Sequence, residues 1–217
     1  MPEPLAHARD NWSSMNLQKI NVKFFVGNSS GISLTVFINI FHSWIRASDG
    51  DYYDLADYSH MRAGPGILLI AHEANISIDN TGSRLGLLYN QKQPLQGSNR
   101  EKLHSTFRSA LDYCRRIEGE PSLQGKFKFR GDEALILIND RLHAPNNEQT
   151  FRALEPDLED LARALYGGAD FTLRRNTDPK QRFTVQLKAR SSFETEALLK
   201  NLGAAGGYQQ ELVGHKE

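Results

Sequence analysis

An α+β fold is what the sequence predicts: a mostly antiparallel, mixed sheet with three or four helices packed mainly on one face. Three observations carry that reading. Short β-rich runs flank tight-turn chemistry, as at 67–79 and 85–90 around Asp79-Asn80-Thr81-Gly82-Ser83, and at 171–175 and 182–190 around residues 176–179. Other segments place apolar residues at helical spacing, such as Leu103, Phe107, Ala110, Leu111 and Cys114. The order strand, loop, helix, strand, turn, strand occurs over 22–71 and again over 134–189, which suggests two βαββ units in one domain.

Taken in order, residues 1–19 mix Pro2, Pro4, charges and isolated hydrophobes without sustained period, and are expected to form a flexible arm. A single α+β domain is expected over 20–202, followed by a flexible Gly-rich tail over 203–217. Residues 22–26 (VKFFV) read as a strand, and Leu34, Phe37, Phe41, Trp44 and Ile45 mark a buried helix over 33–46. The run 52–61 is a strand, and 67–79 is one bent strand or two. Ile76 and Ile78 alternate there with Asn75, Ser77 and Asp79, the period of a half-exposed strand. Ser98 with Glu101 three residues on forms a capping box for a helix ending near Glu118. Phe127 and Phe129 point inward on a short strand that Gly131-Asp132 turns into the apolar strand 134–138. Asn146 or Asn147 caps a short turn, Pro156 starts a helix striped by Leu158, Leu161, Ala162 and Leu165, and Ser192 caps a last helix through Leu202.

Composition narrows the function classes. Twenty-six Lys and Arg balance 26 Asp and Glu, so no global field draws the chain to nucleic acid or to an anionic membrane. The longest apolar runs are far shorter than the roughly 20 residues that span a bilayer, which predicts a soluble protein. One cysteine precludes an internal disulfide. The first residues lack the apolar core of a signal peptide, so a cytoplasmic protein is expected.

Chemistry-bearing residues concentrate at 51–80, where Asp54, Asp57, His60, His72 and Glu73 surround the apolar run 67–71. A hairpin can bring His60 and His72 side by side, and imidazole titrates near neutral pH. By strand alternation, however, His72 and Glu73 point to opposite faces unless a bulge intervenes, and a half-buried, hydrogen-bonded His72 is the plainer account. Asp54, Tyr58 and His60 share a face and either line a pocket or form a polar outer surface. Asp140 and Arg141 close a buried strand and are secondary site candidates beside a structural salt bridge. No zinc-ligand spacing, phosphate loop or nucleophile elbow is present, so no metal and no cofactor is assigned. Arg174, Arg175, Lys180, Arg182, Lys188 and Arg190 make a basic ribbon, which either meets phosphates or guards an edge against aggregation.

The runs FHSWIR (41–46), DLADYSHM (54–61), GPGILLIAHEANISIDN (64–80), LGLLYN (85–90) and INDRLHAPN (138–146) resemble those of an uncharacterised bacterial protein family of about this length. The resemblance covers about residues 20–202 and implies a small cytoplasmic protein. It carries no activity or functional residue with it.

Two function classes follow. One is a soluble domain that binds an unidentified small molecule or protein around 60–72. The other is a small hydrolase-like or metal-assisted enzyme in which His60 or His72 is base or ligand and Asp54, Asp57 or Glu73 orients it. The second requires at least three of these groups to converge within hydrogen-bond reach.

Overall fold

Alternation of apolar and polar residues organises the protein. In the computed structural model, which describes residues 15–28, 31–61 and 64–205, the strands are β1 (Ile20–Asn28), β2 (Tyr52–Tyr58), β3 (Gly66–Ala71), β4 (Ala74–Asp79), β5 (Gly86–Gln91), β6 (Lys128–Ile138), β7 (Phe171–Arg175) and β8 (Phe183–Ala189). They form one sheet in the order β2-β3-β4-β5-β1-β6-β8-β7, and every neighbouring pair is antiparallel. Four helices complete the described fold: α1 (Thr35–Ala47), α2 (Asn99–Glu118), α3 (Glu148–Leu165) and α4 (Thr195–Ala205). This is an α+β architecture, with β1-α1-β2-β3 echoed by β6-α3-β7-β8. None of the described helices is long and apolar enough to cross a membrane.

One face of the sheet supplies the core. Ile20, Val22 and Phe24 of β1, Ile76 and Ile78 of β4, Leu87 and Tyr89 of β5, and Ala134, Ile136 and Ile138 of β6 are all buried with the helix residues. Phe24 meets Phe107 of α2 edge to face, with ring centroids 5.7 Å apart. Burying each large apolar side chain of this kind contributes about 1.5–3 kcal/mol. Helix α2 starts where its capping box predicts, with Ser98 and Glu101 bonded reciprocally.

Three local expectations need correction, and one open alternative, over 67–79, is decided. Residues 128–138 are one strand, not two joined at Gly131-Asp132. Gly131 serves instead as a place of contact, because a Cβ there would lie 1.8 Å from the Phe193 carbonyl oxygen. Pro156 does not start its helix: α3 begins after Asn147, whose carboxamide accepts the Thr150 N–H at 2.8 Å, and runs through Pro156. The continuous buried stripe Leu154, Leu158 and Leu161 outweighs the hydrogen bond that proline forfeits. The last helix opens at Thr195, so Ser192 does not cap it. Residues 67–79 are two strands, because His72 and Glu73 form the turn between β3 and β4.

Of the expected N-terminal arm, residues 1–14 lie outside the described residues. Residues 15–19 pack on the body: Leu17 is buried, its N–H donates to Asn99 Oδ1 at 2.8 Å, and Asn99 Nδ2 donates to the Met15 carbonyl at 2.6 Å. Of the expected tail, residues 203–205 are helical and 206–217 lie outside the described residues.

Candidate functional site

The second face of the sheet follows from the same alternation. Between the core residues of β1, β4 and β5 stand Asn21 and Lys23, then Asn75, Ser77 and Asp79, then Leu88 and Asn90. Register aligns them across the strands. Asn21 pairs with Asn90 and Asn90 with Asn75, so three carboxamides form a row perpendicular to the strands. Lys23 pairs with Leu88 and Leu88 with Ser77 in the next row on this face. All of these but Lys23 line a groove of about 590 Å3 that also takes in Lys19, Met61, Gly64, Pro65, Leu68, Thr81, Gln91, Lys92 and Asn139. That volume falls in the range of small-molecule sites.

One end of the floor is a buried ion pair. Lys23 Nζ donates to Asp79 Oδ1 at 2.5 Å, with side-chain exposures of 4% and 2%. The ammonium also donates to the Thr81 carbonyl at 3.3 Å, and Asp79 Oδ2 accepts the Thr81 hydroxyl at 2.7 Å. Lys23 reaches β4 by crossing β5 at Gly86: a Cβ on Gly86 would lie 2.9 Å from Lys23 Cε and 2.4 Å from the Phe24 carbonyl oxygen. Burial pulls the Lys23 amine below its ordinary pKa, and the Asp79 carboxylate opposes that shift.

The row of carboxamides behaves differently. Among the described residues, Asn75 Oδ1 and Ser77 Oγ are buried and have no hydrogen-bond partner, and Ser77 is fully buried. An unmet buried polar atom costs about 1–3 kcal/mol, so each calls for a partner such as an ordered water, an ion or a ligand; Thr150 Oγ1 and Arg175 Nε, away from the groove, are in the same position.

Farther along the same face a second network is closed. Arg84 forks onto both oxygens of Glu133 at 2.7 and 2.9 Å, and Gln186 donates to Glu133 Oε1 at 2.5 Å. The Arg84 guanidinium stacks 3.6 Å from the centre of the Phe25 ring. Burial pushes the Glu133 carboxyl up, but the Arg84 and Gln186 hydrogen bonds and the Arg84 and Lys188 charges bring it net below its ordinary value.

The residues singled out in the sequence are not brought into one pocket. Tyr52 pairs with Ala71 at one end of the β2–β3 hairpin and Tyr58 with Gly66 at the other. His72 therefore lies at one end and His60 at the other, roughly 20 Å apart at the rise of a strand. Asp54 accepts the Leu55 N–H at 2.7 Å and Asp57 the Ser59 N–H at 2.8 Å, while Tyr58 is exposed on the edge strand. The Ser59 hydrogen bonds hold the Asp57 carboxyl below the usual range. His72 and Glu73 do not point apart as expected: in the turn both are exposed and approach to 3.7 Å, because strand alternation does not apply there. Asp140 takes His143 at 3.0 Å and Arg141 is exposed, so neither joins the hairpin residues. Among the described residues no three His, Cys, Asp or Glu side chains are placed to hold a metal.

Two other features have defined surroundings. Within the basic ribbon, Arg175 meets Glu148, Lys188 meets Asp132 and Glu133, and Arg190 meets Asp170. Cys114 is wholly buried in α2, and burial raises its thiol well above the ordinary value, which makes it a core residue.

The groove was half visible in the sequence. Asn75, Ser77 and Asp79 read as one polar strand face, and Asn21 and Lys23 between Ile20, Val22 and Phe24 give the same signal. Three strands with polar residues on the face away from the core, each holding an Asn, could have marked it. No family model, curated protein or solved structure matches the chain.

Proposed function

We propose that the chain is a ligand-binding α+β domain of the cytoplasm, and that it holds a small polar molecule in the groove over β4, β5 and β1. The observation that carries the reading is the pair of buried, unpartnered acceptors, Asn75 Oδ1 in the carboxamide row and Ser77 Oγ in the row beside it. Asn21, Asn75 and Asn90 each offer an acceptor and two donors, whereas Leu68, Leu88, Met61 and Pro65 give the groove apolar walls. A ligand with several hydroxyl or amide groups and a compact apolar body suits that lining. The buried Lys23–Asp79 pair fixes the floor beneath it, and a single, buried cysteine, Cys114, agrees with a cytoplasmic setting.

A thermal-shift screen of small polar metabolites tests this on two proteins, the wild type and Leu88→Trp, whose indole fills the groove. Compounds that raise the Tm of the wild type should leave the variant unchanged, since stabilisation follows occupancy of the folded state. Hits that act equally on both, or no hit at all, would reject the groove.

A further inference from the structure

The two edges of the sheet carry opposite charge. Residues 49–61, which include β2, hold Asp49, Asp51, Asp54 and Asp57 and no lysine or arginine. Residues 171–182, which include β7, hold Arg174, Arg175, Lys180 and Arg182 against Asp178 alone. β2 and β7 are the outermost of the described strands, so each has a row of backbone groups that no neighbouring described strand takes up.

Strand direction and backbone also match between the edges. Because every neighbouring pair among the eight described strands is antiparallel, β2 and β7 run in opposite directions. A second copy set beside the first in the same orientation therefore brings its β7 antiparallel to β2, with both core faces on the same side. On β2 the Leu55 N–H goes to Asp54 Oδ1 at 2.7 Å, so Leu55 and, by alternation, Asp57 turn their backbone groups outward. On β7 the Asn176 N–H goes to the Thr184 carbonyl and the Asp170 carbonyl takes the Arg190 N–H, both toward β8. Phe171, Leu173 and Arg175, which alternate with them, face out.

Setting Leu55 opposite Leu173 aligns outward groups with outward groups, and side chains with side chains. Leu55 and Leu173 both pack on the core, while Asp54 falls opposite Arg174 on the second face, where both are exposed. Asp57 falls opposite Phe171 and keeps the Ser59 N–H. Tyr58, 38% exposed, falls opposite Asp170, beside a hollow of about 560 Å3 lined by Thr172, Lys188 and Arg190 among others. Pairing like edges would instead crowd aspartates on aspartates or arginines on arginines, which is destabilising.

We propose that copies of this chain associate head to tail, with β7 of one added to β2 of the next. Asp54 guards the edge: in the single chain it holds the Leu55 N–H, and Arg174 of the next copy draws it away and frees that N–H for the Leu173 carbonyl. Such a contact joins two different surfaces, so it extends into a row of copies or closes as a ring. Strands of seven and five residues bury less than the roughly 1,200 Å2 of a standard interface, so the association is weak and follows concentration. It is separate from the groove and does not depend on it.

Sedimentation velocity of the full chain over a concentration series, at low and high salt, tests the proposal with the variants Asp54→Arg and Arg174→Asp. Both positions are exposed, so neither change disturbs the single chain. The wild type should gain mass as concentration rises and lose it in salt, because the opposed charges are screened. Each variant alone should associate about tenfold more weakly, as an opposite-charge pair becomes a like-charge pair. Mixing the two variants should restore association, since the reversed β2 of one then meets the reversed β7 of the other. A wild type that stays monomeric up to about 1 mM, an Arg174→Asp variant that associates like the wild type, or a mixture that does not recover would each overturn the proposal.

Discussion

On the β2–β3 hairpin the polar groups lie outside and are satisfied locally: Asp54 and Asp57 bond to nearby backbone N–H groups, and His72 meets Glu73 in solvent. On β4, β5 and β1 they lie inside, and there Lys23 and Asp79 satisfy each other while Ser77 and Asn75 keep acceptors unmet. The hairpin holds the residue types that catalysis favours, yet its geometry spreads them along an edge. The groove holds plainer residues, and its hydrogen-bond accounts stay open. Candidate sites are therefore better located by which buried groups lack partners than by which side chains titrate.

The largest effect that separates the two regions is the loss of a charge. Lys23→Met leaves the Asp79 carboxylate buried without its cation and should cost about 3–5 kcal/mol in urea unfolding. Asp54→Asn, Asp57→Asn, His60→Ala and His72→Ala should each stay within about 0.5 kcal/mol, as exposed substitutions do. Adding Asp79→Leu to Lys23→Met should recover much of the loss, because the cost is that of an unpaired buried ion. A Lys23→Met protein as stable as Asp57→Asn would erase the contrast.

Gly86→Ala comes next. Its Cβ would strike the Phe24 carbonyl oxygen at 2.4 Å and the path of Lys23, so a loss of about 1–3 kcal/mol is expected, the range for forced overpacking. Thermal unfolding would show it, and an unchanged Tm would mean that Lys23 does not depend on this crossing.

A pH series sharpens the difference between the closed and open parts of the second face. The Glu133 carboxyl is held below its ordinary value of 4.5, so the unfolded state binds protons first as the pH drops. Its contribution to stability is full above that value and is lost as the pH falls through the lower, folded pKa. Glu133→Gln should remove this part of the acid dependence, with the slope of stability against pH flattening below pH 4.5. An unchanged slope would show that the Arg84 fork holds no special charge state.

Much of the fold was legible because its signals are local. The capping box of Ser98 and Glu101 depends on residues three apart, and the alternation of Ile76 and Ile78 with Asn75, Ser77 and Asp79 needs only one strand. What failed needed distant partners. Gly131 reads as a turn until Phe193 is seen packed against its backbone, and Pro156 reads as a helix start until the stripe from Leu154 to Leu165 is seen to be continuous. The groove needed more again. Asn21, Asn75 and Asn90 come from three strands whose register brings them into a row, and residues 54 apart in sequence give no local hint of adjacency. The hairpin drew notice because its Asp and His residues are close in sequence, although an antiparallel pair places His60 and His72 at opposite ends.

Ser77→Ala, measured for both stability and binding, decides whether the groove is a ligand site. If the hydroxyl awaits a ligand, removing it should leave the free protein as stable as the wild type or more so, by about 1 kcal/mol, because an unmet buried polar group is gone. The same variant should lose affinity for whatever compound the wild-type groove binds. A variant destabilised by about 1 kcal/mol or more, with binding intact, would show that Ser77 serves the fold and that the groove is not the site.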